Sequence, residues 1–183
     1  MNNTYIFTGI MLMSMGLFGQ SSGQAESPPE VVETVDINRY LGTWYEIAKI
    51  PNRFQRKCER NTTATYRLRD DGRIDVTNRC VTAEGDTSTA NGIARVADPE
   101  TNAKLEVSFV QILGFSLFWG DYWIIGLDEN YDYAVVGHPD RKYGWILSRE
   151  PELSDTQYQE VHSILGDNGY DPDRFEETLQ TGW

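Results

Sequence analysis

Cysteine and histidine, the side chains that most often bind metals or act as nucleophiles, are scarce: two of each in 183 residues. His138 reads as a loop residue and His162 as a helix residue. Neither has Cys, Asp or Glu at metal-ligand spacing, so both read as surface groups. No nucleophile elbow and no Gly-rich phosphate loop occurs, and no cofactor or metal is called for. Positive charge is also short: 16 Lys and Arg face 28 Asp and Glu, a formal net charge of −12. Such a surface repels nucleic acid and gives no electrostatic pull toward anionic lipid head groups. The apolar run at residues 5–18 is too short to be a good transmembrane helix. The first 25 residues contain no Asp, Glu, Lys, Arg or His and end Gly23-Gln24-Ala25. That pattern reads as a secretory signal peptide over 1–25, cleaved before Glu26, with a retained membrane anchor as the alternative. No Cys precedes Cys58, so the leader offers no lipoprotein cysteine.

Alternation dominates what is present. Residues 26–35, with Pro28-Pro29, read as a linker. Asp36 caps a short helical turn, and Gly42-Thr43-Trp44-Tyr45-Glu46-Ile47-Ala48 opens the first strand, 43–50. A loop at 52–60 with basic residues follows. Further strands are expected at 62–69, 73–81, 91–97, 103–110, 122–127, 133–137 and 142–148. Asp70-Asp71-Gly72, Asp98-Pro99-Glu100-Thr101-Asn102 and Asp128-Glu129-Asn130 supply the turns, and 83–89 reads as a polar loop. The pattern predicts an all-β fold: an eight-stranded antiparallel up-and-down β-barrel. Helical spacing of Tyr158, Val161, Ile164 and Leu165 after Ser154 predicts a C-terminal α-helix, stopped at Gly166 or Gly169. It should pack on the outside of the barrel, over Ile47 and Ile146. A second short turn from Asp171 should carry Phe175 and Leu179 on its apolar face.

The hairpin about Asp70-Asp71-Gly72 places Cys80 opposite residue 62 or 63, close to Cys58. An exported chain favours a Cys58–Cys80 disulfide, with two buried free thiols as the alternative.

Strand parity puts Trp44, Glu46 and Ala48 inward, and Tyr45, Ile47 and Lys49 outward. Ala64, Tyr66, Leu68, Ile74, Val76, Leu105, Val107, Phe109, Trp145 and Leu147 are also expected inside. Arg149 should reach the floor and lie on the Trp44 indole. An inward set of apolar side chains with one acid suits a small lipid-like ligand. Glu46, Ala64, Tyr66, Val76, Val107, Phe109 and Trp145 are the candidate ligand-binding residues. Glu46 and Tyr66 would orient the polar end. The apolar loop with Leu113, Phe115, Leu117, Phe118 and Trp119 falls at the open mouth. It reads as a portal, a membrane contact or a homodimer interface, or else as a plug.

The segments Tyr40-Leu41-Gly42-Thr43-Trp44-Tyr45-Glu46-Ile47-Ala48, Thr63-Ala64-Thr65-Tyr66-Arg67-Leu68-Arg69-Asp70-Asp71-Gly72, Lys104-Leu105-Glu106-Val107-Ser108-Phe109 and Trp145-Ile146-Leu147-Ser148-Arg149 together resemble the lipocalins. The resemblance is to the bacterial outer-membrane-lipoprotein type and the group around apolipoprotein D; it covers about 36–180, within a lipocalin domain expected over 36–183. Gly42 and Trp44 match the family's first motif and Arg149 its third. The second, usually Thr-Asp-Tyr, is looser here, Leu127-Asp128-Glu129-Asn130-Tyr131. The resemblance implies a calyx, not an enzyme, that binds, stores or transports a fatty acid, lysophospholipid or other small hydrophobic ligand. Its place would be the cell envelope, in membrane maintenance or stress response. The chain would be periplasmic or secreted, in association with the outer membrane or free of it. The alternatives are an enzyme acting on a hydrophobic substrate inside such a barrel, and a protein-interaction module built on loop 112–119.

Overall fold

Short alternating runs punctuated by Asp, Asn and Gly close into a barrel in the computed structural model, which describes residues 27–112 and 115–182. The expected signal peptide, 1–25, and Leu113 of the mouth loop lie outside these residues. The elements in order are α1 (Ile37–Tyr40), β1 (Gly42–Lys49), β2 (Arg60–Leu68), β3 (Ile74–Val81), β4 (Thr87–Val96) and β5 (Lys104–Ser108). A small hairpin follows, β6 (Val110–Ile112) and β7 (Phe115–Leu117), then β8 (Gly120–Leu127), β9 (Tyr133–Gly137) and β10 (Gly144–Ser148). Helix α2 (Asp155–Asp167), a 3-10 turn (Pro172–Arg174) and β11 (Glu176–Glu177) complete the fold. Strands β1, β2, β3, β4, β5, β8, β9 and β10 pair in that order, all antiparallel, and β10 pairs back onto β1. The barrel is therefore closed and eight-stranded. Up-and-down order puts α1 and the 69–72, 98–102 and 128–132 turns at one end. Loops 50–59, 82–86, 109–119 and 138–143 lie at the other.

The fourth strand begins earlier than its polarity implied. Thr87-Ser88-Thr89-Ala90 pairs with Val81 through Asn78, so the last three residues of the stretch read as a loop, 87–89, are strand. Thr is a good strand former, and these positions near the mouth need no apolar face. The turn before it needs Gly85, whose φ is +89°.

Two apolar layers result. The inner one gathers Trp44, Tyr66, Ile74, Val76, Leu105, Ile124, Val136 and Leu147 inside the barrel. The outer one joins Ile47, Val135 and Ile146 to Val161 and Leu165 of α2, as expected for the helix. Val161 and Leu165 are fully buried, each stabilising by about 1.5–3 kcal/mol. Ser154 and Gln157 form a reciprocal capping box at the start of α2. Beyond Asn168, Gly169 takes φ +72° to end it.

Val31, Val32 and Val35, inside the stretch read as linker, pack against the inner layer. Val35 is buried, and the Val32 amide donates to the Ile124 carbonyl at 3.0 Å. The chain after Pro172–Arg174 also differs from expectation. Phe175 packs into the outer layer, but Leu179 is exposed because residues 176–181 run extended along the wall. There β11 pairs with Ala48 and Lys49 of β1, and Leu179 bridges Arg60 of β2. Strands β1 and β2 pair directly only from Gly42 to Tyr45. The C-terminal segment fills the gap above.

Candidate ligand-binding site

The floor is built by Arg149. Its guanidinium carbon lies 3.7 Å from the Trp44 ring centroid. It donates to the carbonyls of Thr43 at 2.9 Å, Arg39 at 2.7 Å and Leu41 at 3.0 Å. One planar cation thus satisfies the helix-end carbonyls of α1 and covers an indole face. Gly42 carries φ +97°, and a Cβ there would meet Arg149 Nη1 at 3.4 Å. The looser second motif still serves closure: the Tyr131 hydroxyl accepts from the Asp36 amide at 2.9 Å, under Arg39.

Three tyrosine hydroxyls meet above the floor. Tyr122 bonds Tyr40 at 2.8 Å and Tyr66 at 3.0 Å. Burial pushes Tyr66 up to about 12 and raises Tyr40 and Tyr122 well above the ordinary phenol value. All three are neutral at physiological pH. Three hydroxyl protons serve two mutual bonds, so the cluster holds one more donor than it uses.

Glu46 is inward and only 3% exposed. Its carboxylate accepts from Thr178 Oγ1 at 2.7 Å and Gln55 Nε2 at 2.5 Å, and Lys49 Nζ lies at 3.3 Å. The outward expectation for Lys49 and the inward one for Ala48 are both reversed. The β1–β10 register slips between Glu46 and Ala48, a bulge at Ile47. Beyond it Lys49 pairs with inward Trp145, while Ala48 joins the outer layer with Ile146.

Gln55 reaches into the mouth from loop 50–59. Its Oε1 accepts from the Trp145 indole N–H at 2.9 Å while its amide donates to Glu46. The first loop is thus tied to the inside of the barrel, whereas Ile112, Phe115, Leu117 and Phe118 of the mouth loop are exposed. The Cys58–Cys80 disulfide anchors that loop to β3. Thr62 Oγ1 and Asn78 Oδ1 are buried with no partner among the described residues. Both belong to strand segments facing this upper part of the calyx.

Of the candidate ligand-binding residues, Glu46, Tyr66 and Val76 are buried inside, and Ala64, Val107 and Trp145 pack against the inner layer. Phe109 is instead at the rim, 44% exposed, because the strand ends at Ser108. Its ring covers Gly92, where a Cβ would come within 2.8 Å of it. Leu68, also expected inside, is exposed at the floor edge. Phe115, Leu117 and Phe118 stand out from the mouth on the β6–β7 hairpin, with Phe118 82% exposed. Trp119 is half-buried beneath Arg95 at 4.2 Å. Lys49, Gln55 and Thr178 were missed. A bulge and a loop conformation place them, and neither leaves a signal in alternation. His138 is less exposed than expected and pairs with Asp140 at 2.6 Å. No cluster able to hold a metal occurs among the described residues.

The lipocalin-like domain family model matches residues 35–180. Outer membrane lipoprotein Blc of Escherichia coli (strain K12) is 42% identical over 160 residues, covering 85% of this chain and 87% of the relative. Apolipoprotein D of Mus musculus is 34% identical over 180 residues, covering 90% of each. The solved structure of insecticyanin from the tobacco hornworm Manduca sexta superposes with a TM-score of 0.66 at 23% identity, covering 84% of each chain, and speaks to the fold alone. Barrel, floor and relatives agree: the chain belongs to the lipocalin family, in the group resembling Blc and apolipoprotein D.

Proposed function

We propose that this protein carries a single-chain lipid, a fatty acid or lysophospholipid, in the cell envelope. The observation that carries this reading is the amphipathic lining. A lower calyx of mainly apolar side chains, with the three tyrosine hydroxyls bonded to one another, rises to a charged and polar upper part where Glu46, Lys49, Gln55 and Trp145 are bonded to one another. An acyl chain would bury its length below, and its head group would displace Gln55 to bond Trp145 and Lys49. Lys49 suits a carboxylate or phosphate, and the unpartnered Thr62 and Asn78 oxygens suit hydroxyl or ammonium donors. Affinity would come from chain burial, about 25 cal/mol per Å² before binding costs.

Export to the periplasm or beyond agrees with the leader and the disulfide. The outer membrane is the natural donor and acceptor of such a ligand, and membrane maintenance under stress the role. The enzymatic alternative loses its simplest nucleophile, since Cys58 and Cys80 are joined. The exposed hairpin offers the carrier a contact surface, toward a membrane or a second copy. The test is titration of delipidated protein with oleate and with lysophosphatidylcholine, reading Trp fluorescence and melting temperature. Saturable quenching with a raised melting temperature supports the carrier, and no response to either lipid overturns it.

A further inference from the structure

We propose that the open end of the barrel docks on an anionic lipid bilayer: the β6–β7 hairpin and Phe54 enter the interface, and Arg53, Arg56 and Lys57 meet lipid phosphates. This names the surface on which the carrier loads, and so rests on that reading for its purpose.

The apolar part is unusual for a protein face. Val110, Ile112, Phe115, Leu117 and Phe118 are all exposed on one hairpin, Phe115 at 72%. Phe54 is exposed on loop 50–59 at the same end. The hairpin is held out as a unit. The buried Ser108 hydroxyl donates to the Leu117 carbonyl at 2.6 Å, and β6 pairs with β7 rather than with the barrel. Phe118 has φ +57°, a left-handed conformation that is costly for a bulky residue. What marks a contact surface is the patch itself, several large apolar side chains exposed side by side on one hairpin.

Charge selects the partner. Residues 51–60 hold Arg53, Arg56, Lys57 and Arg60, four of the sixteen basic residues, against one acid, Glu59. Arg53, Arg56 and Lys57 are exposed and form no ion pair among the described residues. The net charge of −12 had argued against anionic lipid. Segregation reverses this locally, and repulsion of the acidic barrel body fixes which end approaches. Other acids share the rim: Glu84 and Asp86 on the 82–86 turn, Asp121, and Asp140, which pairs with Lys142. A second copy of the chain fits less well, since a symmetric contact would bring two basic loops and two acidic bodies together. Aromatic side chains beside unpaired cations match the bilayer interface, where rings sit at head-group level and each Lys or Arg adds attraction.

Flotation of the full chain with phosphatidylcholine vesicles, with and without phosphatidylglycerol, tests the proposal. The expected result is binding to the anionic vesicles that weakens with added salt. Phe115→Ser with Phe118→Ser should abolish it. Arg56→Gln and Lys57→Gln should each weaken it on the order of fivefold. All four positions are exposed, so circular dichroism and melting should not change, nor should oleate titration. Equal binding to neutral vesicles, or none to either kind, overturns the proposal. Loss of a dimer on Phe118→Ser in sedimentation, without vesicle binding, overturns it in favour of a second copy. If vesicles are bound but oleate is not, the carrier reading falls and docking stands.

Discussion

Glu46 and Lys49 lie three residues apart on one strand, yet their side chains meet inside the barrel, Nζ to Oε1 at 3.3 Å. Regular alternation would send them to opposite faces. The bulge at Ile47 brings both inward and creates an internal ion pair in the upper part of the calyx.

Lys49→Met should therefore destabilise more than a surface lysine would. The buried carboxylate keeps its bonds from Thr178 and Gln55 but loses its counter-charge, a cost of about 2–4 kcal/mol in urea unfolding. Adding Glu46→Gln should recover most of it. In ligand titration, Lys49→Met should weaken oleate, which has an anionic head, more than the matching long-chain alcohol.

Arg149→Ala should cost about 3 kcal/mol, since several carbonyls at the end of α1 lose their donor and Trp44 loses its cover. Arg149→Lys should recover less than half, because an ammonium cannot span carbonyls on both sides of Gly42. Thermal unfolding of the three proteins checks both statements.

Reducing the Cys58–Cys80 bridge, or replacing both residues by Ser, releases a loop of 22 residues and should cost on the order of 3 kcal/mol. Loop 50–59 should loosen with it. Gln55 would then leave Glu46 and Trp145 more often, and oleate should associate faster. Stopped-flow Trp fluorescence reads that rate.

Alkaline pH should unfold the barrel through its tyrosines. Tyr66 titrates near 10 when unfolded and at about 12 when folded. The folded state therefore holds its proton longer, and stability present below pH 10 is lost as pH rises toward 12. Tyr66→Phe should flatten that part of the stability profile, read as urea midpoints between pH 9 and 12 by circular dichroism.

Much of this was legible in the chain. Trp44 and Arg149 could be paired in advance because each sits at a strand end marked by its neighbours. The outer layer was readable because Val161 and Leu165 keep helical spacing. Glu46 was found because it precedes the bulge, whereas Lys49 was misplaced because it follows it. Register slips belong to a pair of strands, and neither strand records them alone. Gln55 and Thr178 lie in segments whose paths are set by what they touch, so alternation says nothing about them. Phe109 looked inward because parity was carried one residue past the end of β5.

The C-terminal segment gives the wall a further property. Residues 176–181 fill the upper gap between β1 and β2, where Thr178 bonds Glu46 and Gln180 donates to the carbonyls of Glu46 and Thr62. A container whose final stave is drawn from residue 176 onward stays open along one side until that part of the chain has been synthesised and seated.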